Sequence, residues 1–123
     1  MAILIVDDSP EILNLLSLAL GMRGFGIITA HNGQQALDAL GQSQTLPALI
    51  LSNMFMPIMD GLSLLAAVRG SALYAHIPFL LMTAAPQPEI RDEAFQLGAN
   101  EFIAKPFKLE VIIRIVQQFV TPP

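Results

Sequence analysis

The chain has no cysteine and no tryptophan, a single tyrosine, and only 13% charged residues among its 123 positions. Without cysteine there is no disulfide and no thiolate metal site, which is compatible with a reducing cytoplasm. Basic residues are also scarce. Six Lys and Arg against ten Asp and Glu leave a formal charge of −4, so there is no electrostatic reason to expect nucleic acid or anionic lipid as a direct partner. Although 54% of the residues are hydrophobic, no run approaches the ~18 apolar residues that a membrane span requires. Ala2 to Val6 is too short for a signal-peptide core and is followed at once by two acids. A Gly-rich phosphate loop, a nucleophile elbow and a His-metal motif are missing as well. His31 and His76 fall in loops and read as solvent-facing. What remains is one cytoplasmic domain, long enough to bury roughly two thirds of its unfolded surface and leaving no room beside it for a separate catalytic or DNA-binding domain.

What is there is an alternation repeated five times. Ala2 to Val6 is a short apolar run without polar alternation, as expected for a strand covered on both faces. Ser9-Pro10-Glu11 supplies an N-cap, a proline for the first helical position and an acid for the first turn. The helix is expected to run to Arg23 and stop at Gly24. Phe25 to Ala30 is the second strand, and Asn32 caps a second helix through the Gln34–Leu40 region. Leu46 to Asn53 is the third strand, with a helix from Asp60-Gly61 to about Gly70. Ile77 to Thr83 is the fourth strand, followed by a helix over about 88–97. Glu101 to Ala104 is the last strand, and the last helix is expected over 106–120. Residues 1–120 thus read as one domain, with 121–123 (Thr-Pro-Pro) as the stub of a linker.

Five βα units with short connections imply a doubly wound parallel sheet with helices on both faces. Chemistry in such sheets lies at the carboxyl ends of the strands. Those ends deliver Asp7 and Asp8, Asn53, Thr83 and Lys105. Any one of them has a bland reading: helix cap, turn former, strand-end hydroxyl, solvated lysine. Their coincidence at successive strand ends is the strongest functional signal in the chain.

Five motifs carry a resemblance. They are Ile3-Leu4-Ile5-Val6-Asp7-Asp8, the 30–37 segment beginning Ala30-His31-Asn32-Gly33, Met56-Pro57-Ile58-Met59-Asp60-Gly61, Ile77-Pro78 through Thr83-Ala84, and Gly98 through Lys105-Pro106-Phe107. With these the sequence resembles, over essentially its whole length, the receiver domain of two-component response regulators. The resemblance implies a flavodoxin-like fold with strand order 2-1-3-4-5 and five helices. It implies Mg²⁺ held directly by Asp8, through water by Asp7, and by the Phe55 backbone carbonyl, with residue 53 completing the set. It implies Lys105 and the metal as charge neutralisers, Thr83 as the hydroxyl that contacts a bound phosphoryl group, and Phe102 as the aromatic switch. The implied partner is a sensor histidine kinase or phosphotransfer protein, and the implied role is phosphorelay signalling, not an enzyme's.

One position departs from the family. Where it has the phosphoacceptor aspartate, this chain has Asn53. A carboxamide is uncharged, its nitrogen lone pair is delocalised, and it does not attack phosphorus. The expectation is a receiver that binds Mg²⁺ weakly and cannot be phosphorylated in this form. Its metal-free state should be more stable than that of an Asn53→Asp variant. Ser52 offers a hydroxyl next door, but strand alternation points it to the opposite face. The alternative is a degenerate pseudo-receiver, acting without phosphate as an interaction or dimerisation module. Dimerisation would use the first helix or the helix 4–strand 5–helix 5 face. In the first helix only Asn14, Ser17 and Gly21 read as a clear polar side, and the last helix is similarly oily.

Overall fold

The computed structural model describes residues 1–121, in which five strands alternate with five helices. The strands are β1 (Ala2–Val6), β2 (Gly26–Ala30), β3 (Leu49–Asn53), β4 (Phe79–Thr83) and β5 (Glu101–Ala104); the helices are α1 (Pro10–Gly21), α2 (Gly33–Gln42), α3 (Gly61–Arg69), α4 (Pro88–Gln96) and α5 (Leu109–Phe119). All strand pairs are parallel, in the order β2-β1-β3-β4-β5. The doubly wound arrangement expected from the alternation is the one observed. Residues 122–123 of the expected linker stub lie outside the described residues.

Each central strand is buried on both sides, which explains its unbroken apolar sequence. Ile3 and Ile5 of β1 face one layer with Leu13, Leu16 and Leu20 of α1 and Ile112, Ile113 and Val116 of α5. Leu4 and Val6 face the other, with Ala36 and Leu40 of α2, Leu64, Leu65 and Val68 of α3, and Ala94 of α4.

Three of the five helix starts follow a side chain that satisfies a free N–H group. Ser9 Oγ accepts from the Ile12 N–H, Asn32 Oδ1 from Gln35, and Asp60 Oδ1 from Ser63. Asn32-Gly33 therefore opens a helix. Several ends differ from the expected ones. Helix α1 stops at Gly21, because a turn through Gly24, with φ of 93°, redirects the chain into β2. Strands β3 and β4 begin two to three residues later than the apolar runs suggest. Pairing starts only where a neighbour is available: Ala48 donates to Ala2 O, and Ile50 donates to Pro78 O. Pro47 and Pro78 have no N–H to add to a ladder. Helix α5 starts at Leu109, three residues after Pro106, where the Lys108 carbonyl first accepts helical N–H groups from Val111 and Ile112.

The oily outer helices resolve differently from each other. On α5 the fully outward positions are Glu110, Arg114, Gln117 and Gln118, and its apolar residues are buried or half-buried, with Ile112, Ile113 and Val116 in the core. On α1, Ser17 is not on the solvent side: its hydroxyl is buried and unpartnered. The solvent side of α1 includes Leu15, Leu18 and Met22, the last two 69% and 85% exposed.

Candidate functional site

The carboxyl ends of β1, β3, β4 and β5 bring Asp7 and Asp8, Asn53, Thr83 and Lys105 to one rim of the sheet. The rim is divided into two bonded groups joined by backbone. In the first, Asp7 is fully buried at the end of β1. Its Oδ2 accepts from Lys105 Nζ at 3.1 Å and its Oδ1 from the Ser9 N–H at 2.9 Å. A buried carboxylate without such partners would be costly; here a cation and an N–H supply them. Lys105 is held in turn by its own N–H, which donates to Thr83 O at 2.7 Å.

In the second group, Asn53 is 8% exposed at the last position of β3. Its Nδ2 donates to Asp8 Oδ1 at 3.2 Å and to the Phe55 carbonyl at 3.0 Å. Hydrogen bonding fixes this orientation of the amide: turned over, Oδ1 would face a carboxylate and a carbonyl with no hydrogen between them. Ser52 Oγ donates to the Asn53 backbone carbonyl at 2.8 Å and takes no part in the rim, in accord with strand alternation.

The side chain of Thr83 makes no bond to either group. It is fully buried, and its Oγ1 accepts from the Ala85 N–H at 3.0 Å, fixing the start of the β4–α4 loop. Phe102 is half-buried against the layer that contains α2, α3 and α4. His31 and His76 are exposed, as read from the sequence.

Backbone constraints close the β3–α3 loop over Asn53. A Cβ on Gly61 would run into the Asn53 carbonyl, and would lie 2.9 Å from both Met54 Cα and Leu81 Cδ2. Only glycine lets α3 start so close to the end of β3. Ile58 has φ of 71° and is 82% exposed, an uncommon conformation for a β-branched residue. Its neighbour Met59 is fixed by two bonds, its N–H to Pro57 O and its carbonyl accepting from Gly33 N. The Gly33 and Ile58 constraints escape a reading of motifs, because they arise between α2 and a loop distant in sequence.

A second, half-buried cluster lies at the opposite end of α3. Arg69 donates to Gly98 O, Ala75 O, Ile77 O and Asn100 Oδ1. Burial lowers its pKa from the usual arginine value. Among the described residues no carboxylate pairs with it, so it acts as a bracket for carbonyls. Nothing in the local sequence marks it, since its acceptors come from two separate loops, the α3–β4 and α4–β5 connections.

Mg²⁺ requires a near-octahedral shell of oxygen atoms. As arranged, the rim offers the exposed Asp8 carboxylate and the Phe55 carbonyl, with the N–H hydrogens of Asn53 aimed at Asp8 Oδ1 and at that carbonyl. Asp7 is committed to Lys105 and Ser9. Among the described residues no three acids or histidines are grouped as metal ligands. The donor set in this arrangement does not fit the cation.

Fold order, buried acid, lysine and threonine together define a receiver, and the chain belongs to the response regulator receiver domain family, matching it over residues 3–117. It is 36% identical over 119 residues to an uncharacterized 14.6 kDa protein of Leptolyngbya boryana, covering 97% of this chain and 89% of that one. It is 38% identical over 114 residues to the transcriptional regulatory protein CpxR of Escherichia coli, covering 92% of this chain and 47% of CpxR. The chain thus spans about half the length of that regulator. Among solved structures it is similar to the chemotaxis response regulator CheY4 of Vibrio cholerae, with 32% identity and a TM-score of 0.89 over 98% of this chain and 99% of that one. The signal receiver domain of a histidine kinase from Syntrophus aciditrophicus gives 33% identity and a TM-score of 0.87 over 96% and 88% of the two chains. No helix among the described residues is long and apolar enough to cross a membrane.

Proposed function

We propose that this chain is a cytoplasmic receiver of two-component phosphorelay signalling in which residue 53 is the phosphoacceptor position and, as asparagine, holds no acyl phosphate. The observation that carries the reading is the placement of Asn53: it ends β3 beside Asp8 and the Phe55 carbonyl, in the crevice that also contains Asp7, Thr83 and Lys105. The side chains of Asp7, Asp8, Thr83 and Lys105 that would surround a phosphoryl group are retained, and phosphoryl transfer is catalysed mainly by positioning and charge. The atom that would form the bond to phosphorus is the one replaced. The chain acts as a binding module, not as an enzyme. Its partner is a sensor histidine kinase or a phosphotransfer protein, with no direct nucleic-acid contact. Mg²⁺ binds weakly, because a neutral group stands where an anionic ligand belongs.

The test is restoration. Asn53→Asp, given Mg²⁺ and a small-molecule phosphodonor, is expected to gain the mass of one phosphoryl group, while the unaltered chain gains none. Acid-labile phosphate on the unaltered chain would overturn the reading.

A second reading is a phosphate-independent interaction module, and the exposed Leu15, Leu18 and Met22 of α1 favour it. Such a ridge is a candidate contact for a partner helix or a second copy. The α4–β5–α5 face offers less, since α5 turns charged and amide side chains outward. Under this reading neither form takes up phosphate, and light scattering shows association that rises with concentration. A strict monomer at high concentration would count against the dimer.

A further inference from the structure

We propose that the Asn53 carboxamide is an internal stand-in for the metal ion: its N–H₂ group staples Asp8 to the Phe55 carbonyl and holds the mouth of the crevice in one arrangement whether or not Mg²⁺ is present. The inference rests on reading residue 53 as the phosphoacceptor position and extends it to the neighbouring cation position.

The geometry is specific. Asp8 and Phe55 belong to different loops, one following β1 and one following β3. One nitrogen atom bridges them, at 3.2 Å and 3.0 Å. These are the two oxygens that a cation in a receiver would draw together. An amide N–H₂ carries two hydrogens with partial positive charge, enough for two acceptors and no more. The Asp8 acceptor is a carboxylate oxygen, so its bond is charge-assisted and stronger than a neutral one. The amide nitrogen is itself held in place, because Asn53 is nearly buried and its backbone carbonyl abuts Gly61.

Two consequences follow. A cation drawn to these two oxygens would compete with both N–H bonds, so cation binding is opposed by the staple as well as by the lost charge. Furthermore, the β3–α3 loop, which exposes Phe55 and Ile58, is presented to partners without any metal. Chelator should therefore leave partner binding unchanged.

The side-chain N–H₂ of Asn53 supplies a direct readout in the unaltered protein. By NMR in chelator it is expected to exchange with solvent at least tenfold more slowly than the exposed Asn14 amide, and to stay unshifted on adding Mg²⁺ to a concentration that shifts the rim of Asn53→Asp. A double-mutant cycle of Asp8→Ala and Asn53→Ala, followed by thermal melts in chelator, should be non-additive, with the second substitution costing less once the first is made. Additive melting shifts, or an Asn53 amide that exchanges like a free one, would overturn the staple. Either result is independent of whether residue 53 takes up phosphate, so failure of the staple and failure of the phosphoacceptor reading are separately visible.

Discussion

Replacing Asn53 by aspartate should destabilise the metal-free protein, and the size of the effect can be worked from two distances. Nδ2 lies 3.2 Å from Asp8 Oδ1 and 3.0 Å from the Phe55 carbonyl. In Asn53→Asp both donors become oxygen. A hydrogen bond to a charged group contributes about 1.5–3 kcal/mol, and this one is lost. In its place stand two like charges. At the first of those separations they repel by about 5 kcal/mol at an effective dielectric of ~20, and by about 1 kcal/mol in water. Asp8 is exposed, so screening and a small movement apart bring the repulsion toward the lower figure. Lys105 lies on the neighbouring Asp7 and offsets a further part. The net loss is about 2–3 kcal/mol, or roughly 8–12 °C in melting temperature for a domain of this size. Mg²⁺ should reverse the order of response. At free Mg²⁺ ten times its Kd, the aspartate form regains about 1.4 kcal/mol, and the asparagine form gains almost nothing. Differential scanning calorimetry in chelator and in MgCl₂ reads both quantities. Equal melting temperatures in chelator, or an equal Mg²⁺-induced rise in both forms, would refute the electrostatic argument.

Three other perturbations address the surrounding frame. Lys105→Met strands the buried Asp7 carboxylate, and breaking such a pair costs about 3–5 kcal/mol; adding Asp7→Asn should recover most of that loss in a chemical denaturation series. Gly61→Ala forces a methyl group against the Asn53 carbonyl and Leu81, and overpacking of this kind costs about 1–3 kcal/mol. Its signature is a displaced Asn53 backbone resonance as well as a lower melting point. Arg69→Met removes the donors to Gly98, Ala75, Ile77 and Asn100 and should speed amide exchange in the α3–β4 and α4–β5 connections, while leaving the Asn53 amide protected.

The division between what could be read and what had to be seen follows from the range of the interactions. Sequence alone determined the βα alternation, because each central strand is covered on both faces and three of the five helix starts carry their own caps, at Ser9, Asn32 and Asp60. It also placed Asp7, Asp8, Asn53, Thr83 and Lys105 at strand ends, since a parallel sheet sends all its carboxyl ends to one edge. Helix and strand limits were less legible: where β3 begins depends on Ala2 across the sheet, and where α1 stops depends on a turn at Gly24. Which side of α1 meets water was beyond the sequence, for periodicity could not distinguish Ser17, whose hydroxyl is buried, from an exposed Leu18. The partners of the rim were decided only in three dimensions. That Asp7 goes to Lys105, ninety-eight positions away, while Asp8 goes to the Asn53 amide, depends on which loops the sheet order brings together. Two adjacent aspartates are equivalent in a string of letters; burial of one and exposure of the other makes them chemically distinct.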